Sequence, residues 1–305
     1  MNTVPISEFS RGKIAMMSDI HGNFHAFRAC FDDSVRQGAE GFLFLGDYVS
    51  DLAEPEKTMD LLYDIQAVYP TVCLGGNRER YMLERERGDT SFVPGSKSGS
   101  LLFTFQHLRK RDLDFFRGLK ISDTIALNGI PVEMAHAAMD NDRFYFDSTD
   151  GNASQIFPNM KCDYLFTGHS HKQFALRQSG KTILNPGSVG LPHNGSPLAQ
   201  YALLETCQGG ISWEFRQVEY DLEAVVHTQF ARGLVDCARY WAIGILYDVL
   251  TGEEWVMNLL NRVLEAGNPQ DEALWRSAAM AMGMRDSEEA ILDLLFSCGA
   301  IHSMT

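Results

Sequence analysis

Five short apolar runs in this chain each break into a turn, and each turn carries a side chain suited to holding a metal ion. The runs are Lys13-Ile-Ala-Met-Met17, Phe42-Leu-Phe-Leu45, Thr71-Val-Cys-Leu74, Pro131-Val-Glu-Met-Ala135 and Tyr164-Leu-Phe-Thr167. Short apolar runs bounded by glycine or polar residues predict buried strands. In open α/β sheets, ligands gather beyond the carboxyl ends of the strands, so these five strand ends are expected to converge on one site.

The side chains in question are Asp19 and His21 in Ser18-Asp-Ile-His-Gly-Asn23, Asp47 after Gly46, Asn77 in Gly75-Gly-Asn-Arg-Glu79, His136, and His169 with His171 in Gly168-His-Ser-His171. Imidazole nitrogen, carboxylate oxygen and amide oxygen are the donors that suit manganese, iron or zinc. Asp47 stands alone after its strand and is the natural bridge between two ions, which at a separation of roughly 3.5–4 Å activate a water for in-line attack on phosphorus. Taken singly, each motif has an ordinary reading. Asp-Ile-His-Gly-Asn can be a turn capping a helix that starts near Phe24, and His-x-His can be two solvent-facing side chains. The ordered series carries the metal reading.

The series resembles the motifs of the calcineurin-like metallophosphoesterases. Asn185-Pro-Gly-Ser188 is similar to the segment that follows the last histidines in their bacterial phosphodiesterase branch. The resemblance covers about residues 11 to 219. It implies that Asp19, His21, Asp47 and His171 hold one metal, that Asp47, Asn77, His136 and His169 hold the other, and that the fold is α/β, a four-layer α/β/β/α sandwich of two mixed sheets. Two divalent ions are expected as cofactors, manganese or iron first and zinc as the alternative.

Two positions depart from the family pattern. Many of its phosphatases have histidine directly after the motif asparagine, where it protonates the leaving oxygen; here that residue is Arg78. A guanidinium stays protonated, so Arg78 can bind phosphate oxygens and stabilise charge but cannot act as that acid. General acid catalysis is commonly worth about 10²–10⁴ in rate, and poor leaving groups need it most. Diesters or phosphoanhydrides of a small nucleotide-like substrate are therefore expected over alkyl monoesters. The competing reading of Arg78 is a surface ion pair with Glu79 or Glu84. The second departure is Ala137, where the family usually has glycine, and its methyl group is expected to shift the turn that carries His136.

A net charge of −14 disfavours a nucleic-acid partner, which would need a basic stripe. The local exception, Arg109-Lys-Arg111, reads as the solvated face of a helix suggested by Leu101 to Phe116. Met1 to Arg11 lacks the apolar core of a signal peptide, and Tyr240 to Leu250 is too short to span a bilayer, so a cytoplasmic protein without membrane contact is expected. Six cysteines without CxxC spacing read as reduced thiols.

The segments between motifs read as helices of an alternating α/β chain: Phe24 to Gln37 capped by Asn23, and one opening at Pro55 and ending before Pro70. Gly88 to Ser100 reads as a loop near the cleft. Tyr201 to Glu205 and Ile211 to Val218 alternate as a hairpin around Gly209-Gly210, while His193, on the rim after Asn185-Pro-Gly-Ser188, is a candidate substrate contact. Beyond Tyr220 the pattern is helical throughout, with Asp221 as a cap, Trp255, Leu259 and Val263 on one face, and a helix start at Asn268-Pro269. The chain thus divides into a catalytic domain at residues 1–219 and a helical extension at 220–305. The extension is either a cap at the cleft or a homodimer surface, and Met280, Met282 and Met284 suggest an adaptable apolar face.

The expected activity is a metal-dependent phosphoesterase, with Asp47, Asn77, Arg78 and His136 in the catalytic set and Arg78 and His193 against substrate. A non-catalytic scaffold of the same fold, a nuclease and a protein phosphatase are the alternatives. The retained metal-type residues weigh against the first, the acidic surface against the second and Arg78 against the third.

Overall fold

The computed structural model describes residues 12–149 and 151–302, with side chains described as far as residue 295. Met1 to Arg11 and the Cys298 side chain lie outside the described residues. Ten strands form two five-stranded sheets. The first has the order β10-β9-β1-β2-β3, with β1 Lys13–Met17, β2 Ala39–Phe44, β3 Thr71–Cys73, β9 Ala199–Cys207 and β10 Gly210–Val218. The second has the order β4-β5-β6-β8-β7, with β4 Ser122–Leu127, β5 Ile130–Ala135, β6 Tyr164–Phe166, β7 Gln173–Gln178 and β8 Lys181–Pro186. Both sheets are mixed: β1, β2 and β3 pair in parallel, as do β5, β6 and β8, and antiparallel strands complete each sheet.

The central strands are apolar throughout because both of their faces are covered. Successive side chains point to opposite faces. Thus Ile14, Met16, Leu43 and Leu45 join Leu127, Val132, Met134, Phe166 and Leu184 between the sheets. Their neighbours Ala15, Met17, Phe42 and Phe44 pack outward against Phe27, Cys30, Met59, Leu62 and Ile65. Those last residues belong to α1 (Phe24–Arg36) and α2 (Pro55–Val68). Full burial of each large side chain contributes about 1.5–3 kcal/mol, so this double layer is the main source of stability. Two short 3-10 turns at Asn152–Gln155 and Phe157–Asn159 cover the outer face of the second sheet.

Asn23 caps α1 by accepting from the Ala26 N–H at 3.1 Å. Pro55 occupies the first turn of α2. After β3 come α3 (Asn77–Glu86), α4 (Gly99–His107) and α5 (Lys110–Arg117). The single helix expected over Leu101 to Phe116 is therefore two. Leu108 is extended, and Asp112 caps the new helix by accepting from Arg109 N at 2.8 Å. The basic cluster is neutralised rather than simply solvated, with Arg109 and Arg111 on Asp60 and Lys110 on Asp114.

The C-terminal part comprises α6 (Leu222–Ala231), α7 (Leu234–Thr251), α8 (Trp255–Ala266), α9 (Glu272–Ala281) and α10 (Glu288–His302). Asp221 caps α6, as expected, whereas α9 begins at Glu272 behind Asp271 rather than at Pro269. The helices share an apolar cluster centred on Leu246, Leu259, Val263 and Trp275, and Leu52 and Leu191 of the sandwich belong to it. The segment 88–98 straps onto the same helices. Gly95 N donates to Cys237 O at 2.8 Å, and Ser96 holds both Glu272 and the Tyr240 N–H. Met280, Met282 and Met284 do not form one surface, since Met280 is exposed and Met284 is buried. No described helix is long and apolar enough to cross a membrane.

Candidate metal centre

The strand-end turns meet where the two sheets face each other. Asp19 and His21 follow β1, Asp47 follows β2, and Asn77 opens α3 after β3; His136 follows β5, and His169 and His171 follow β6. The structure brings six of the seven expected residues into two groups, Asp19 with His21 and His171, and Asp47 with His136 and His169, the donor atoms within each group lying within 4.8 Å of one another. Asn77 joins the second group through Oδ1, 3.2 Å from His136 Nε2. Asp47 lies between the groups, with Oδ2 3.7 Å from His21 Nε2 and 3.4 Å from His136 Nε2.

Backbone geometry aims these side chains. Asp19, His21, Asp47, His169 and His171 all have φ between 54° and 67°, the left-handed region that non-glycine residues rarely occupy. Glu79 staples the Asp47 turn to α3, accepting from Asp47 N at 2.9 Å, Tyr48 N at 2.8 Å and Gly76 N at 2.8 Å. A side chain at position 76 would collide with Asp47, and one at 168 would collide with Ser18 and Asp19. The glycines at these two positions let the turns touch. Ala137 does not have positive φ. Its methyl group is therefore accommodated, and the turn still aims His136, whose Nδ1 lies 2.9 Å from Leu45 O.

Hydrogen bonds behind the rings fix the tautomers. A carbonyl oxygen only accepts, so His171 donates from Nδ1 to Leu191 O at 2.7 Å and keeps its lone pair on Nε2. His21 Nδ1 faces Asp51 Oδ2 at 3.3 Å. The two Nε2 atoms then point at each other across 3.2 Å, with Asp19 Oδ1 3.5 Å from that of His171. Asp19 Oδ1 is buried and has no hydrogen-bond partner. A cation among these converging lone pairs and the orphaned carboxylate oxygen would satisfy them together, so the residues fit a divalent metal.

Charge states fit in part: His169 and His171 are neutral, whereas at His136 the burial that would lower the pKa is outweighed by Asp47, which raises it to about 10, and burial raises that of Asp19. Burial, and then His136, pushes the His169 imidazolium down to about 3. Burial, with His193 and His21, holds His171 well below its usual range, so both rings are neutral donors. Burial alone would push Asp47 up, but His136, His21 and Arg78 outweigh it and keep the carboxylate ionised.

Arg78 is not on a surface pair with Glu79 or Glu84. Its Nη2 lies 3.1 Å from Asp51 Oδ2, its Nε 3.8 Å from Asp47 Oδ2, and its backbone N–H donates to Asp47 Oδ1 at 2.8 Å. The side chain is 21% exposed, so it is mostly enclosed yet reaches the opening. His193 is more enclosed still, 11% exposed, with Nε2 3.5 Å from buried Asp248 Oδ2 and its ring stacked on His171 at 4.8 Å. It turns toward α7, behind His171, rather than outward along the rim. Three residues here escaped the sequence reading: Asp51, Glu79 and Trp241. Asp51 carried a signal, a second buried-type carboxylate four residues after Asp47.

The two-sheet α/β sandwich is a fold that this chain shares with a solved metallophosphoesterase. The family model for the calcineurin-like phosphoesterase superfamily domain matches residues 13–209, and the chain belongs to that superfamily. An uncharacterized protein of Methanocaldococcus jannaschii is 26% identical over 230 residues, which are 70% of this chain and 90% of that one. A probable metallophosphoesterase of Mycoplasma pneumoniae is 41% identical over 51 residues, 17% of this chain and 32% of its own. Among solved structures, a metallophosphoesterase from Sphaerobacter thermophilus shares the fold with a TM-score of 0.63 at 21% identity, covering 79% of this chain and 99% of that one. A hypothetical protein from Pyrococcus horikoshii OT3 shares it with a TM-score of 0.67 at 16% identity and the same coverage.

Proposed function

We propose that this protein is a two-metal phosphoesterase that hydrolyses phosphodiester or phosphoanhydride bonds of a small nucleotide-like substrate. The observation that carries the reading is Asp47, a buried carboxylate within 3.7 Å of a histidine from each cluster. Asp19, His21, Asp47 and His171 would hold one ion, and Asp47, Asn77, His136 and His169 the other. Manganese or iron suits this nitrogen and oxygen set, with zinc as the alternative. When bound, such a pair supplies an activated water and neutralises charge on the phosphoryl oxygens.

The chain's own residues do the rest. Arg78 remains cationic because Asp51 and Asp47 more than offset the cost of its burial. With Nη2 on Asp51 and the buried Nε turned toward Asp47, the remaining guanidinium N–H groups would bind phosphate oxygens. The residue that follows Asn77 in the chain is Arg78 rather than a histidine able to protonate a leaving alkoxide, which favours substrates whose leaving group departs as a stable anion. His193 serves by backing His171, and the helices from residue 220 onward, joined to the sandwich through Leu52 and Leu191, support the site.

The test is metal content after purification without added metal, then manganese-stimulated turnover of bis(4-nitrophenyl) phosphate against an alkyl phosphate monoester. A clear preference for the diester is expected, and Asp47→Asn should lower it by roughly 10²-fold or more. A monoester preference would sink the diesterase assignment. Absence of both bound metal and turnover would leave the scaffold reading.

A further inference from the structure

Asp51 joins three parts of the molecule at one carboxylate. It is fully buried and has φ of 69°, beside Ser50 at 88°, so its backbone is strained and must be held in place. Oδ2 faces the phosphoryl site, 3.1 Å from Arg78 Nη2 and 3.3 Å from His21 Nδ1, and accepts from Ser50 Oγ at 2.8 Å. Oδ1 faces away from it, accepting from Trp241 Nε1 at 2.9 Å and Ser100 Oγ at 3.0 Å. Gln229 of α6 adds a longer contact to the Asp51 carbonyl at 3.4 Å.

Trp241 belongs to α7, two residues after Arg239, whose φ of 45° and ψ of −123° break the helix. The kink is braced by Ser96 Oγ, which accepts from Tyr240 N at 3.1 Å. On its other side the Trp241 ring packs edge-on to Trp275, the buried centre of the helical cluster, with centroids 6.3 Å apart. The indole is thus anchored in the C-terminal helices while its N–H sets the rotation of the Asp51 carboxylate. That rotation decides where Oδ2 lies and so where the Arg78 guanidinium is held.

We propose that Trp241 and Asp51 form a positioning relay through which the C-terminal helices fix Arg78 for binding a phosphoryl group. The inference rests on the phosphoesterase reading above and assigns those helices work at the site beyond covering it. Trp241 and Asp51 are positioning residues; Arg78 is the one that meets the substrate. Without the indole N–H, Asp51 keeps only Ser100 on its rear oxygen, and Arg78 samples orientations that do not face phosphate.

The experiment uses the full chain loaded with manganese and measures inorganic phosphate binding by calorimetry alongside KM and kcat for bis(4-nitrophenyl) phosphate. Trp241→Phe is expected to weaken phosphate binding and raise KM roughly tenfold, a common cost of losing a hydrogen bond to a charged group, with phosphate measured at saturating manganese because Asp51 Oδ2 also faces His21 Nδ1. In an Arg78→Ala background the same substitution should lower phosphate affinity much less, because the arm of the relay that meets phosphate is gone. Wild-type phosphate affinity in Trp241→Phe, or an equal loss in both backgrounds, overturns the relay. If Trp241→Phe lowers the unfolding midpoint, Ser100→Ala removes the other bond to the same oxygen and must show the same non-additivity, or the relay fails. A wild-type protein that binds neither manganese nor phosphate overturns the phosphoesterase reading itself, and the relay with it.

Discussion

Left-handed backbone at Asp19, His21, Asp47, His169 and His171 places much of the molecule's strain in its candidate metal ligands. Each such residue costs about 1–3 kcal/mol, which the surrounding packing must hold down. His169 tests this most cleanly, because its ring contacts are with His136 and Tyr145, while its backbone N–H, which a substitution retains, donates to Asp19 Oδ2 at 3.0 Å. Asparagine tolerates the left-handed region better than histidine. His169→Asn is therefore expected to abolish diesterase activity without lowering the unfolding midpoint of the metal-free protein, and a clear drop in that midpoint would refute the strain argument. His136 gives a second prediction. Burial alone would lower its pKa, but Asp47 outweighs burial and raises it to about 10. The imidazolium's contribution to stability is therefore complete below its unfolded value near 6.5 and is lost as pH rises through about 10. An incoming metal must displace that proton, so manganese affinity should climb by up to about tenfold per pH unit across this window. Calorimetry in buffers of different ionisation enthalpy would show the released proton; buffer-independent heats would exclude it.

The elements that carry the site were the legible ones. Their strands are short, apolar and end in polar turns, and every expected strand is present. Three strands went unread: β4, β7 and β8. Edge strands β4 and β7 are only partly apolar, for example Ser122-Asp-Thr at the start of β4. Their turns did carry a signal, since Asn128-Gly129 and Ser179-Gly180 both have positive φ, the geometry of tight hairpins. The break between α4 and α5 turns on Arg109, held locally by Asp112 and across to Asp60 on α2, and the second of these contacts was not legible. Metal-type residues could be listed from sequence, but their supports could not. Asp51, Glu79 and Trp241 act through bonds between segments distant in the chain, and Trp241 lies 190 residues from its partner. The C-terminal helices yield a prediction at this scale. They share one apolar cluster with Leu52 and Leu191, so a chain ending at residue 219 should lose solubility and turnover together. A soluble truncated protein with broadened substrate range would instead support a detachable cap.

At the scale of the whole molecule, both candidate clusters draw on both sheets. Asp19 and His21 from the first sheet meet His171 from the second, and Asp47 from the first meets His136 and His169 from the second. Chelation should therefore lower the thermal unfolding midpoint of the whole sandwich in one cooperative step, and re-added metal should raise it again by an amount that grows with metal concentration. A midpoint indifferent to chelator would mean that no metal is held there. The same arrangement would make any bound ion a cross-link between layers that also meet through apolar contact and through side-chain hydrogen bonds such as Gln173 Nε2 to Tyr201 O and Ile211 N to the Tyr164 hydroxyl. A protein of this design would report its own loading mechanically: any change in the spacing of the sheets is a change in ion separation, and any substitution that thickens the layer between them detunes the chemistry from a distance.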